Sequence, residues 1–135
     1  MCITSSSITS ASATVATTQT TTSVTYTDLA TSGPAVTITT GTKALVVVTA
    51  RANISLTGGK NAFFSYAVSN ATTIAASDAV GAQESFAQNT NGRYSAVSRL
   101  TTLTAGSNTF TMKYRRSSGT GEFSDREIIV IDLGS

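Results

Sequence analysis

The chain has 135 residues, 40% of them hydrophobic, with 12% charged residues, a net charge of +2, one cysteine and no histidine. That is enough apolar material for a single domain with one core, while the charge is too weak and too dispersed for nucleic-acid binding. The missing histidine removes the commonest general base, the commonest metal ligand and any serine–histidine triad, and a lone Cys2 excludes an internal disulfide or a cysteine metal cluster.

Serine and threonine number 45, a third of the chain, and strong helix formers are scarce. β-Branched residues favour pleated, half-buried surfaces, so an all-β fold is expected. Residues 1–22 read as an extended arm and residues 23–135 as the folded body. Met1 to Ser23 hold 14 Ser or Thr, a few isolated apolar residues and no charge, too little to form a core alone. Such a segment is either a disordered tail or a docking arm. Its uncharged, β-prone character favours docking, with Ala13 to Thr22 adding as a strand to a neighbour's sheet edge. No positive leader and no stretch of roughly 20 apolar residues is present, so a soluble protein made in a cytoplasm is expected, with no membrane partner. The sequons Asn53-Ile54-Ser55 and Asn70-Ala71-Thr72 are at chance level for this composition.

The body opens on a first short strand with Val24, Tyr26 and Asp28, turns at Ser32-Gly33-Pro34, and continues in a strand carrying Val36 and Ile38. Lys43 to Leu56 is apolar on both faces through Ala44-Leu45-Val46-Val47-Val48 and is expected in a sheet centre. After a turn at Thr57-Gly58-Gly59-Lys60, Asn61 to Ser69 places Phe64, Tyr66 and Val68 on one face and Phe63 and Ala67 on the other. Asn70 to Gly92 predicts long loops with one or two short strands. Arg93 to Leu103 alternates through Tyr94, Ala96, Ser98 and Leu100.

From Asn108 onward, Phe110, Met112 and Tyr114 share a face opposite Thr109, Thr111, Lys113 and Arg115. Ser117-Ser118-Gly119-Thr120-Gly121 then predicts a hairpin loop into Glu127 to Leu133, whose Ile128-Ile129-Val130-Ile131 leaves no polar face and suits a strand covered on both sides. About eight strands at short spacing predict an antiparallel β-sandwich or jelly roll with an N-terminal arm.

The phrase Leu103 to Tyr114, with Gly106 at its turn, and the apolar closing strand Ile128 to Leu133 resemble small jelly-roll modules of tailed-bacteriophage virion proteins. Tyr26-Thr27-Asp28-Leu29-Ala30, Gly33-Pro34 and Lys43 to Val48 are similar to the opening of the same modules. Those modules look like the tumour necrosis factor and complement globular-head jelly rolls. The resemblance implies a homotrimer in which one sheet of each subunit lines a threefold axis. Phe64, Tyr66, Phe110, Tyr114, Ile129 and Ile131 are the candidates for that subunit interface or for the core.

No catalytic, cofactor or metal site is expected. A carboxylate pair among Asp28, Asp78, Glu84, Glu122, Asp125, Glu127 and Asp132 could serve glycoside hydrolysis, but the charges around Asp125 sit where strand-end ion pairs are ordinary. Lys113, Arg115 and Arg116 could grip an acidic surface or an anionic sugar, yet they first fit the solvent phase of a strand and its turn. The expected function is therefore that of a non-enzymatic bacteriophage capsid cement or decoration protein, trimeric on the outer capsid surface of the virion. Its partners would be itself and the major capsid protein, with Ile3, Ile8 and Val15 of the arm touching the capsid. The alternative is a receptor-binding tip of a tail fibre that presents loops to a host glycan. Fibre proteins usually carry a shaft, for which this chain shows no pattern.

Overall fold

The computed structural model describes residues 8–55, 60–86 and 92–134. They form β1 (Ser10–Val15), β2 (Gln19–Thr21), β3 (Ala35–Thr40), β4 (Lys43–Ile54), β5 (Lys60–Asn70), β6 (Ala82–Phe86), β7 (Arg93–Thr102), β8 (Gly106–Arg116) and β9 (Gly121–Gly134). One sheet runs β1-β9-β4-β7 with β2 also on β9, and the other runs β3-β8-β5-β6. All pairs are antiparallel. The two sheets pack face to face as the expected sandwich with jelly-roll order, with nine strands where about eight were expected. The additional strands come from the N-terminal segment.

The core forms from complementary sizes. From β5 and β8 come Phe64, Tyr66, Val68, Phe110, Met112 and Tyr114, all buried. The facing side of β4 is mostly small, Ala44, Val46, Val48, Ala50, Ala52 and Ile54, and is joined by Ile128 and Val130 of β9. Large side chains on one sheet fill the space left by alanines on the other, which is how interiors reach close packing. Tyr114 and Phe123 meet with ring centroids 4.9 Å apart, and the buried Tyr114 hydroxyl donates to the Gly33 carbonyl at 2.8 Å. Burial pushes the Tyr114 hydroxyl well above the usual phenol range. At one end of the sandwich β3 turns into β4 through Gly41, where a Cβ would stand 2.5 Å from the Gly134 backbone. Only glycine admits that approach.

Several expectations change at this level. The N-terminal segment is extended, but β1 and β2 add to β9 of their own chain, Ser10 to Val15 lying opposite Ile131 to Arg126. The anticipated strand addition takes place in cis because β9 offers an open edge directly beside the segment. The strand expected around Val24 to Asp28 is irregular, with one isolated bridge from Thr27 to Tyr114. The loop after β8 is not a hairpin: β8 and β9 belong to different sheets, so Ser117 to Gly121 carries the chain across the sandwich. Turn residues specify a change of direction and are silent on which sheet receives the next strand. In the middle segment a 3-10 turn, Asp78–Val80, precedes β6, which matches the expected loops with a short strand.

Candidate assembly surface

The outward face of the β1-β9-β4-β7 sheet is built by alternation. β4 points Leu45, Val47, Thr49 and Arg51 outward because Ala44, Val46, Val48 and Ala50 are wholly buried on the other side. The register sets their neighbours: Leu45 stands between Ile131 and Leu100, Val47 between Ile129 and Ser98, and Thr49 between Glu127 and Ala96. Across β9, Ser10 lies opposite Ile131 and Ser12 opposite Ile129. Leu133 continues the β9 phase beyond Ile131.

The face is therefore graded along the strands. One half carries Leu45, Val47, Leu100, Ile129, Ile131 and Leu133, with Leu100 60% and Leu133 42% exposed. Ile8, 51% exposed, continues the outward phase of β1 beside this half. The other half is polar: Arg51 lies opposite Tyr94, Tyr94 donates its hydroxyl to Asp125 at 3.0 Å, and Asn53 bonds Glu122 at 3.3 Å. That hydrogen bond to the Asp125 carboxylate holds the Tyr94 hydroxyl above its ordinary range. On this half of β4 the inward phase holds Ala44, Val46 and Val48 while the outward phase holds Leu45 and Val47, side chains as large as those of the core. A face meant for water would carry polar side chains there, since contiguous apolar patches mark interaction sites.

The candidate residues separate cleanly. Phe64, Tyr66, Phe110 and Tyr114 lie between the sheets, so no subunit can reach them. Tyr66 is pinned there by a 2.6 Å hydrogen bond to Thr101, and burial raises its hydroxyl above the usual range. Ile129 and Ile131 lie outside, half-buried, so the closing strand has one covered face and one open one. Of the arm candidates, Val15 points inward and is half-buried, Ile8 is exposed, and Ile3 lies outside the described residues, as does Cys2. Leu45, Val47, Leu100 and Leu133 were missed as surface candidates. Their signal was the apolarity of Ala44 to Val48 on both faces, which reads equally as a doubly covered strand.

The basic residues of β8 are engaged. Lys113 pairs with Asp28 at 2.7 Å and Arg115 with Asp78 at 2.5 Å. Arg115 also stacks on Phe63, 3.6 Å from its ring centroid, which explains how an outward phenylalanine is nearly buried. Arg126 is fully buried, donating to the Thr31 and Gly33 carbonyls and to the Gln19 side chain. Asp132 accepts from the Gly41 and Gly134 amides, both at 3.0 Å. Among the described residues no three His, Cys, Asp or Glu side chains group as a metal site, and no helix is long and apolar enough to cross a membrane.

No family model matches the sequence, and no curated protein matches it. Solved structures do resemble the fold. A chain in the structure of infectious bursal disease virus, Gx strain, aligns over 95% of this chain with a TM-score of 0.52 and 11% identity. This chain spans only 33% of that one. The Eiger tumour necrosis factor of S. frugiperda aligns over 90% of this chain and 94% of its own, with a TM-score of 0.46 and 8% identity. At such identities the likeness is one of fold alone, that of a two-sheet antiparallel β-sandwich.

Proposed function

We propose that the chain is a non-enzymatic structural protein of a tailed-bacteriophage virion, a cement or decoration protein that trimerises on the outer capsid surface and stabilises the shell. The observation that carries this reading is the graded outward face of the β1-β9-β4-β7 sheet, whose apolar half brings Leu45, Val47, Leu100, Ile129, Ile131 and Leu133 together. Burying such a face against further copies of itself removes aliphatic surface from water at about 25 cal/mol per Å². Closed cyclic symmetry then satisfies every copy without leaving an open end. The resemblance of Leu103 to Tyr114 and Ile128 to Leu133 to phage virion modules supplies the viral setting, and the bursal-disease-virus likeness agrees with it at the level of fold. The N-terminal residues before β1 would reach from the trimer to the major capsid protein.

Electron microscopy of intact particles tests the location. Density for the chain at threefold or quasi-threefold positions on the head is the expected result, and density confined to the tail tip would overturn the cement reading.

A further inference from the structure

The opposite face of the molecule, the outward side of the β3-β8-β5-β6 sheet, is not open in the same way. The segment Ala75 to Asp78 covers part of it, with the Ser77 amide donating to the Ser65 hydroxyl at 3.3 Å. The segment Val24 to Tyr26 flanks it from the other side, anchored by the Thr27–Tyr114 bridge. Between them lies a groove of about 520 Å³ whose lining includes Tyr26, Ala67, Ala76, Asp78, Lys113 and Arg115. That volume falls within the range usual for small-ligand sites, roughly 300–1,000 Å³.

We propose that this groove binds a neutral oligosaccharide. Three features of the lining select that chemistry. The surface is amphipathic: Ala67, Ala75, Ala76 and Val24 give it an apolar part, while Tyr26, Asp78, Lys113 and Arg115 bring hydrogen-bonding groups to it. A pyranose has the same division, with C–H faces and hydroxyl edges. The charges balance, because Lys113 is paired with Asp28 and Arg115 with Asp78, so the groove favours neither an anionic nor a cationic ligand. Donor capacity for sugar hydroxyls also remains. Lys113 Nζ has three hydrogens and one carboxylate contact, and Arg115 Nη1 reaches only the Val24 carbonyl, at 3.5 Å.

The polar groups are fixed before any ligand arrives. Arg115 donates from Nε and Nη2 to the two oxygens of Asp78, at 3.0 and 2.5 Å, and Tyr26 donates to the same carboxylate at 2.7 Å. The guanidinium is held from below by Phe63 and lies 5.5 Å from the Tyr26 ring centroid. Side chains locked in this way lose little rotamer freedom on binding, which is what lets a shallow amphipathic groove hold a weakly hydrophobic ligand.

The test is an array of neutral hexose and N-acetylhexosamine oligosaccharides, with their sialylated and sulfated counterparts, probed with the purified full chain. Retention of neutral oligosaccharides is expected. Ala67→Leu, which raises the floor, and Ala76→Arg, which fills the wall, should each weaken retention at least tenfold while leaving thermal unfolding and oligomeric state unchanged. Retention of no neutral sugar, retention of the sulfated and sialylated forms alone, or unaltered binding by both variants would overturn the proposal. The outcome is independent of where the protein sits in a particle.

Discussion

Arg126 is the residue whose environment asks most of the fold. It is a fully buried cation whose hydrogen-bond partners are the Thr31 and Gly33 carbonyls and Gln19 Oε1, at 3.4, 3.0 and 2.8 Å, with the Tyr114 ring 5.2 Å away. Gln19 in turn accepts from the Thr31 amide at 2.9 Å and donates to the Thr31 hydroxyl at 2.8 Å, so one guanidinium ties β2 and the 31–34 turn to β9. Replacing Arg126 with Met keeps the aliphatic stem but removes the charged donors. Hydrogen bonds to charged groups contribute about 1.5–3 kcal/mol, partly offset here by relief of the buried charge, so a loss of about 1–2 kcal/mol is expected in urea unfolding, and Arg126→Ala should lose more by leaving a cavity. Asp78 responds to pH instead. The Arg115 hydrogen bonds hold its carboxyl below the usual carboxylate range. A depressed folded-state value stabilises the fold above the unfolded value, and that contribution is lost as pH falls through the folded one. Asp78 is more than half exposed, so the effect is local. Protection of the amides in residues 75–80, measured against their intrinsic exchange rates, is expected to fall below about pH 4 in the native chain and to show no such step in Asp78→Asn.

At the scale of the element, β1 is the informative strand because it is an edge made of almost nothing but backbone. Ala11, Ala13 and Val15 are its inward residues, and they only half cover the core. Its attachment comes from the six paired positions on β9. Ala13→Asp, which puts a carboxylate into the inward phase, is expected to free β1 while leaving the rest of the sandwich folded. Hydrogen exchange would then show protection lost from Ser10 to Val15 and kept in β4 and β8. Unchanged protection in β1 would mean that side-chain packing contributes nothing to its docking. The same strand shows where sequence reading reaches its limit. Alternation made β3, β4, β5, β7, β8 and β9 legible, since a buried phase of Phe64, Tyr66 and Val68 or of Phe110, Met112 and Tyr114 has one physical meaning. Residues 10–15 alternate only in small side chains, Ala11, Ala13 and Val15 against Ser10, Ser12 and Thr14, and backbone pairing leaves no mark in side chains to say whether the partner is in cis or in trans. The sheet change after β8 was hidden for a related reason: Gly119 and Gly121 permit a turn, while the choice of sheet depends on the whole topology. For the site, the run Ala44 to Val48 announced two apolar faces. Only the register showed that one of them, continued by Ile131 and Leu100, faces outward with no second layer over it among the described residues.

For the whole molecule, the consequence is a division of labour between its two outer faces. The β3-β8-β5-β6 sheet is dressed by its own loops and ion pairs, whereas on the β1-β9-β4-β7 sheet Leu45, Val47, Ile129 and Ile131, half-buried, and Leu100 and Leu133, exposed, have no second layer over them among the described residues. A stable interface of ordinary size takes about 800 Å² from each partner, a modest share of the 6568 Å² that this chain exposes. Leu100 gives the sharpest test because it is 60% exposed in the single subunit, on an edge strand, and packs beside Leu45. Exposed substitutions of this kind change folding stability by within about 0.5 kcal/mol. Leu100→Asp should therefore leave the sandwich intact while placing a carboxylate within the apolar half of any interface formed by this face. Light scattering is expected to give three times the 13.8 kDa chain mass for the native protein and a single chain mass for the variant, with overlapping thermal unfolding of dilute samples. Because the charges of this face lie at its two ends, Lys43 at one and Arg51, Glu122 and Glu127 at the other, with aliphatic residues between them, the native association should persist in high salt, where an assembly held by ion pairs would loosen. A native chain that scatters as a monomer at every salt concentration would remove self-association through this face, and a Leu100→Asp chain that still trimerises would place the contact on another surface.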